Sequence, residues 1–162
     1  MRVIGIDPGF GRMGWGIVDE KSGKTTPVDY GCLETSPKKD LSIRLREVHL
    51  FVSDLVDKYH PDELAIEDLF FNTNAKTAFS VGQARGVIIL AATLKNIPVT
   101  EYTPLEVKMA ITGYGRAEKG QIGQMIKILL KLDTIPKIDD TADALAIAIT
   151  HAFSHKTKNL GR

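Results

Sequence analysis

The feature that most constrains this chain is residues 1–16, where Val3, Ile4 and Ile6 surround a glycine in a short apolar run ending on Asp7-Pro8-Gly9. A run of this length and composition predicts a strand covered on both faces. Pro8-Gly9 then reverses the chain. Gly11, Gly14 and Gly16 follow at short intervals, which predicts that something bulky approaches the backbone there. Asp7 itself has two readings. An aspartate before Pro-Gly can cap its own turn. An ionised group at the end of a central strand is otherwise costly unless it is paired, hydrogen-bonded or metal-bound. Company favours the second reading, because Glu67, Asp140 and Asp143 recur at comparable places later in the chain.

The remaining elements follow from period and punctuation. Met13–Glu20 and Thr25–Thr35 read as strands about the turn Lys21-Ser22-Gly23-Lys24, which makes an antiparallel meander of three with the first. Asp40–His60 reads as an amphipathic helix that places Leu41, Leu45, Val48, Val52 and Leu55 on one side and stops at Pro61. Glu63–Phe71 contains a fourth strand and the loop after it. Asn74–Asn96 is a second long helix, apolar over most of its circumference, which predicts deep burial or a face shared with another subunit. Ile97–Tyr102 is a short fifth strand. Helices over Pro104–Thr112, Ala117–Leu132 and Asp140–His155 complete a single domain of residues 1–155, with Lys156–Arg162 as a frayed tail. Strands four and five each follow a helical crossover and extend the sheet in parallel beside strand one. The fold class is therefore α/β, a mixed sheet of three antiparallel and two parallel strands with helices on both faces. That pattern resembles the ribonuclease-H-like fold.

If the first and fourth strands are parallel neighbours, Asp7 and Glu67 emerge at the same carboxyl edge, where open α/β sheets place their sites. Strand alternation points Ala65 and Glu67 one way and Ile66 and Asp68 the other, so Asp68 is expected to face solvent. Asp140 and Asp143 are three apart and share a helix face. Asp139 and Asp140 are also natural N-caps, and acids in a first turn are favoured by the helix dipole. Asp143 precedes the apolar stretch Ala144–Ile149, which turns its face toward the protein. Carboxylates gathered in one pocket repel one another, and hard oxygen donors select Mg²⁺ or Mn²⁺. Two such ions about 4 Å apart can activate water and stabilise a leaving oxygen in phosphodiester hydrolysis. His151 and His155 stand four apart on the last helix and are read as helix-end or surface residues rather than ligands.

Composition narrows the class. In 162 residues, 43% hydrophobic and 25% charged side chains are ordinary globular values, which argues against disorder. The net charge of +1 hides a division. Residues 1–71 carry 9 basic and 13 acidic side chains, whereas residues 72–131 carry 8 and 3. An acidic pocket beside a basic surface suits a polyanionic substrate. The single cysteine, Cys32, forms no internal disulfide and reads as a packed strand residue. With no run of membrane-spanning length and no leader pattern, a cytoplasmic location is expected.

Gly5-Ile6-Asp7-Pro8-Gly9, Ala65-Ile66-Glu67, Gly82-Gln83-Ala84-Arg85-Gly86, Ala117-Glu118-Lys119 and Asp140 to Ala148 together resemble the RuvC family of Holliday-junction resolvases, in family order across nearly the whole chain. The resemblance implies a ribonuclease-H-like homodimer that nicks four-way junction DNA in symmetric pairs with Mg²⁺, two ions per site. It implies that Asp7, Glu67, Asp140 and Asp143 are the catalytic and metal-binding acids; some relatives carry His where this chain has Asp140. Phe70 matches a family aromatic that stacks on a junction base, and Lys108 and Lys119 match basic positions near the scissile phosphate. Arg12, Lys76 and Arg116 are added from charge and loop placement as backbone contacts. The apolar second helix is the candidate dimer seam, and a branch-migration helicase complex of the RuvA/RuvB type is the implied partner. Two other readings compete. An actin- or hexokinase-type ATP-binding domain also opens a strand with Asp-x-Gly, but needs a second phosphate loop and a second lobe. A junction-binding protein that cuts nothing would have no use for four intact acids.

Overall fold

The computed structural model describes residues 1–68 and 75–160, with the side chains of 75–77 and 155–160 outside the description. The elements are β1 (Arg2–Asp7), β2 (Arg12–Lys21), β3 (Lys24–Glu34), α1 (Leu41–Tyr59), β4 (Glu63–Glu67), α2 (Ala75–Leu94), β5 (Val99–Tyr102), α3 (Pro104–Thr112), α4 (Lys119–Leu130) and α5 (Asp139–Leu160). The five strands form one sheet in the order β3-β2-β1-β4-β5. β1 is antiparallel to β2 and parallel to β4, and β4 is parallel to β5, as the crossovers predict. Ser22 and Gly23, both at positive φ (54° and 79°), turn β2 into β3. This is the backbone twist that a two-residue hairpin favours.

Alternation along the strands sorts the core into two layers. Val3, Val18 and Ala65 face α5, where they meet Leu145, Ala148 and Ile149. Ile4, Ile6, Ile17, Leu64 and Ile66 face the other way and pack on Val48 and Val52 of α1 and Ile88 of α2. Each fully buried Val, Leu or Ile side chain among these contributes about 2 kcal/mol relative to exposure. The α5 row runs Val3, Gly5, Asp7 on β1 and Ala65, Glu67 on β4, so both acids continue rows that face α5.

The strand glycines explain how closely α5 lies on the sheet. A Cβ on Gly5 would stand 2.3 Å from the Ala144 carbonyl oxygen and 2.6 Å from the Ala148 nitrogen; one on Gly14 would stand 1.8 Å from the Asp140 carbonyl oxygen. The bulky neighbour expected at Gly14 and Gly16 is thus the chain's own last helix, whereas at Gly11 the expectation fails, because a Cβ there would meet nothing within 4 Å.

Some boundaries move, for local reasons. α4 starts at Lys119 rather than Ala117, where the Glu118 N–H donates to the Gln121 side chain at 2.9 Å and the Glu118 carbonyl accepts from the Gln121 N–H at 3.0 Å. α5 starts at Asp139, with the Ile138 carbonyl accepting from the N–H groups of Thr141 and Ala142. Asp139 and Asp140 therefore lie in the first turn, which the dipole favours, rather than at the cap. The helix runs to Leu160, past the expected end at His155. His151 corrects the surface reading: it is buried, with Nδ1 2.9 Å from the Tyr102 hydroxyl and Nε2 2.9 Å from Glu63. Its place four residues after Ile147, on the apolar stripe, was the available signal. Among the described residues no helix is long and apolar enough to cross a membrane.

Candidate active site

Four carboxylates from three elements line one cleft of about 370 Å³: Asp7 from β1, Glu67 from β4, and Asp140 and Asp143 from α5, with Lys108 and Lys119 beside them. The strand pairing brings Asp7 and Glu67 to adjacent strand ends, and the glycine contacts press the first turns of α5 against them.

The electrostatics of the cleft are those of acids crowded out of water. Burial above all, then the charges of Glu67, Asp143 and Asp140, push the Asp7 carboxyl up to about 8, with Lys119 opposing. Burial and Asp143 raise Glu67, against Lys119 and Lys108. Burial also raises Asp143, against Lys119. The Lys119 ammonium lies 3.4 Å from Asp143 and 4.0 Å from Asp139, and Asp143 first among its causes holds it above the ordinary lysine range. Arg12 Nε stands 3.2 Å from Asp140 Oδ2, a buried oxygen that accepts no hydrogen bond.

By donor chemistry, this set suits a metal cation. All four groups are hard carboxylates, their repulsion calls for positive charge, and one buried acceptor of Asp140 lacks a donor. In this structure no group of three or more His, Cys, Asp or Glu side chains among the described residues is placed to hold a metal ion. The four acids surround a cleft that Lys119 only partly neutralises.

The crowding has a measurable consequence. A carboxyl raised from its ordinary 3.8 to about 8 binds its proton more tightly in the folded than in the unfolded chain. Its contribution to stability is full below about pH 4 and is lost as the pH rises through about 8. Thermal melts in chelator should therefore fall by about 5 °C between those limits on account of this site, and added Mg²⁺ should restore more at the alkaline end. A metal-free melting temperature that rises over that range would contradict the arrangement.

The other expected site residues fare differently. Lys108 and Lys119 line the cleft, and Arg12 reaches it through Asp140. Arg116 is exposed in the corner between α3 and α4 and does not line it. Lys76 belongs to α2, but its side chain lies outside the description, and Phe70 lies outside the described residues altogether. Asp68 is not among the residues that line the cleft; half-exposed, it meets Arg85 at 3.6 Å rather than solvent alone. Arg85 is a residue that charge patterning did not single out for a role. From α2 it reaches the Glu67 carbonyl at 3.3 Å and pairs with Glu101 of β5, so it ties β5 to the exit of β4.

Known proteins share this architecture and sequence. Residues 3–151 match the family model described as crossover junction endodeoxyribonuclease RuvC. A protein of that name from Brevibacillus brevis is 54% identical over 152 residues, covering 94% of this chain and 92% of that protein. One from Alkaliphilus metalliredigens is 51% identical over 160 residues, covering 99% and 98%. The structure of Thermus thermophilus RuvC in complex with a Holliday junction substrate superposes with a TM-score of 0.93 at 35% identity, covering 98% of this chain and 96% of that one.

Proposed function

The chain belongs to the RuvC family of crossover junction endodeoxyribonucleases, and we propose that it resolves four-way DNA junctions as a homodimer by Mg²⁺-dependent, paired symmetric nicking. The observation that carries this reading is the convergence of Asp7, Glu67, Asp140 and Asp143 on one cleft flanked by Lys108 and Lys119. These four acids would hold two Mg²⁺ ions, or Mn²⁺ in their place, and bound metal supplies an activated water and stabilises the departing oxygen. Lys119 and Lys108 offset the negative charge of the cleft and help seat the phosphate. Arg12, Lys76 and Arg116 are assigned to the phosphate backbone, where contacts position a junction without reading its sequence. Phe70 is assigned to a junction base by the family resemblance, as aromatic stacking would permit.

The dimer reading is supported by α2. This helix buries Ala84, Ile88, Ala91 and Ala92 yet leaves Phe79 72% and Leu94 64% exposed. Apolar side chains left in water on one helix suit an isologous two-fold interface, and two equivalent active sites suit a substrate with two equivalent strands. A branch-migration helicase complex of the RuvA/RuvB type is the proposed partner, in the cytoplasm.

The test is cleavage of a synthetic four-way junction with and without Mg²⁺, beside linear duplex of the same sequence. Paired nicks on junction alone, absent in chelator, are expected. Junction binding without cutting would favour a recruiting protein, and ATP hydrolysis without DNA cleavage would favour the kinase-type fold.

A further inference from the structure

One buried charge lies outside the carboxylate cluster. Arg44 of α1 is 9% exposed, on the helix layer opposite α5. Among the described residues no carboxylate pairs with it. Its Nε donates to the Thr35 hydroxyl at 3.0 Å and its Nη2 to the Phe10 carbonyl at 3.0 Å, while the guanidinium carbon lies 3.6 Å from the centre of the Phe10 ring. The Thr35 hydroxyl donates to the same Phe10 carbonyl at 2.6 Å, and the Thr35 N–H donates to the Gly11 carbonyl at 2.9 Å.

All of this bonding converges on Phe10 and Gly11, the middle of the segment between Asp7 and Arg12. That segment is a tight reversal, in which a Cβ on Gly9 would stand 1.7 Å from the Arg12 carbonyl oxygen. Asp7 enters the cleft from one end of it, and Arg12 meets Asp140 from the other. We propose that Arg44 is a positioning residue: it fixes the backbone of residues 8–12 from behind the sheet, and thereby sets Asp7 and the Arg12–Asp140 contact. The proposal rests on the nuclease reading above.

Stability is a poor explanation for this arginine. A buried charge without a carboxylate is costly, and an apolar replacement of similar length is often neutral or stabilising. What an apolar side chain cannot do is donate to the Thr35 hydroxyl and the Phe10 carbonyl together while lying on the Phe10 ring. Lysine lacks that planar fork.

The test compares full-length wild type with Arg44→Met, Arg44→Lys and Thr35→Val. In metal-free, DNA-free protein, Arg44→Met should speed exchange of the Thr35 amide about tenfold or more, with the amides of β1 unchanged. Its junction-cleavage kcat should fall about 50-fold, measured well below its melting temperature, with KM within about twofold. Arg44→Lys should recover little. If Arg44→Met fails to fold, Thr35→Val, which leaves the guanidinium in place, carries the same expectation at about fivefold on kcat. Unchanged kcat, with or without faster exchange, overturns the proposal, as does a loss no larger than the fraction unfolded. Should wild type itself cut no junction, the nuclease reading has failed, and the exchange measurement alone then decides whether Arg44 holds the segment.

Discussion

Asp7→Asn should abolish junction cleavage, by about three orders of magnitude or more, while junction affinity changes less than about threefold. Asp7 is the acid whose charge is felt alongside those of Glu67, Asp143 and Asp140 together, and it sits at the end of the central strand. An amide there keeps the shape but removes the charge that a divalent ion would need. The same variant should melt about 5 °C higher than wild type in chelator near pH 8, because it removes a buried charge repelled by its neighbours. Opposite changes in activity and stability would mark a residue kept for chemistry. A cleavage assay, a binding titration and a thermal melt are sufficient to see them. Loss of binding in step with cleavage, or a lower melting temperature, would instead make Asp7 a structural residue.

Gly5→Ala should destabilise the fold by about 3 kcal/mol, or about 10 °C in melting temperature, for the addition of one methyl group. The new Cβ would meet the Ala144 carbonyl oxygen at 2.3 Å and the Ala148 nitrogen at 2.6 Å, backbone atoms that cannot step aside without moving α5. Gly14→Ala applies the same pressure at Asp140, with 1.8 Å to its carbonyl oxygen, and should lose cleavage as well. Gly86→Ala is the control. Nothing lies within 4 Å of its Cβ position on α2, and replacing an exposed helical glycine should be neutral or stabilising by up to about 1 kcal/mol. Chemical denaturation of the three variants separates these cases. Similar stabilities for Gly5→Ala and Gly86→Ala would mean that α5 does not rest on the sheet as described.

Much of this architecture is legible in the chain because its signals are local. The glycines at 14 and 16 announce a close approach before the approaching element is known, though Gly11, read the same way, has open space beside it. Period two along Leu64–Asp68 separates Glu67 from Asp68, and the parallel crossover carries Glu67 to Asp7. What escapes is set by partners distant in sequence. Arg44 reads as one charge among others on the polar side of an amphipathic helix. Only the packing of α1 beneath the β1–β2 connection turns it toward Phe10 and Thr35. His151 reads as a surface histidine until Tyr102 and Glu63, 49 and 88 residues away in sequence, are seen to meet its two ring nitrogens. Arg85 likewise gains its role only where β4 and β5 end beside each other. In each case a polar side chain is buried because a tertiary neighbour satisfies it, and no window of residues contains both halves of such a pair.

The glycine rows on which α5 rests have one more implication. Main chain touches main chain there, so the interval between the acid on the strand and the two on the helix is ruled by the polypeptide framework and not by the wandering of long side chains. Warming would stir the outlying turns first and leave that interval intact until the whole molecule comes apart. Heat inactivation should then coincide with the loss of the fold instead of running ahead of it.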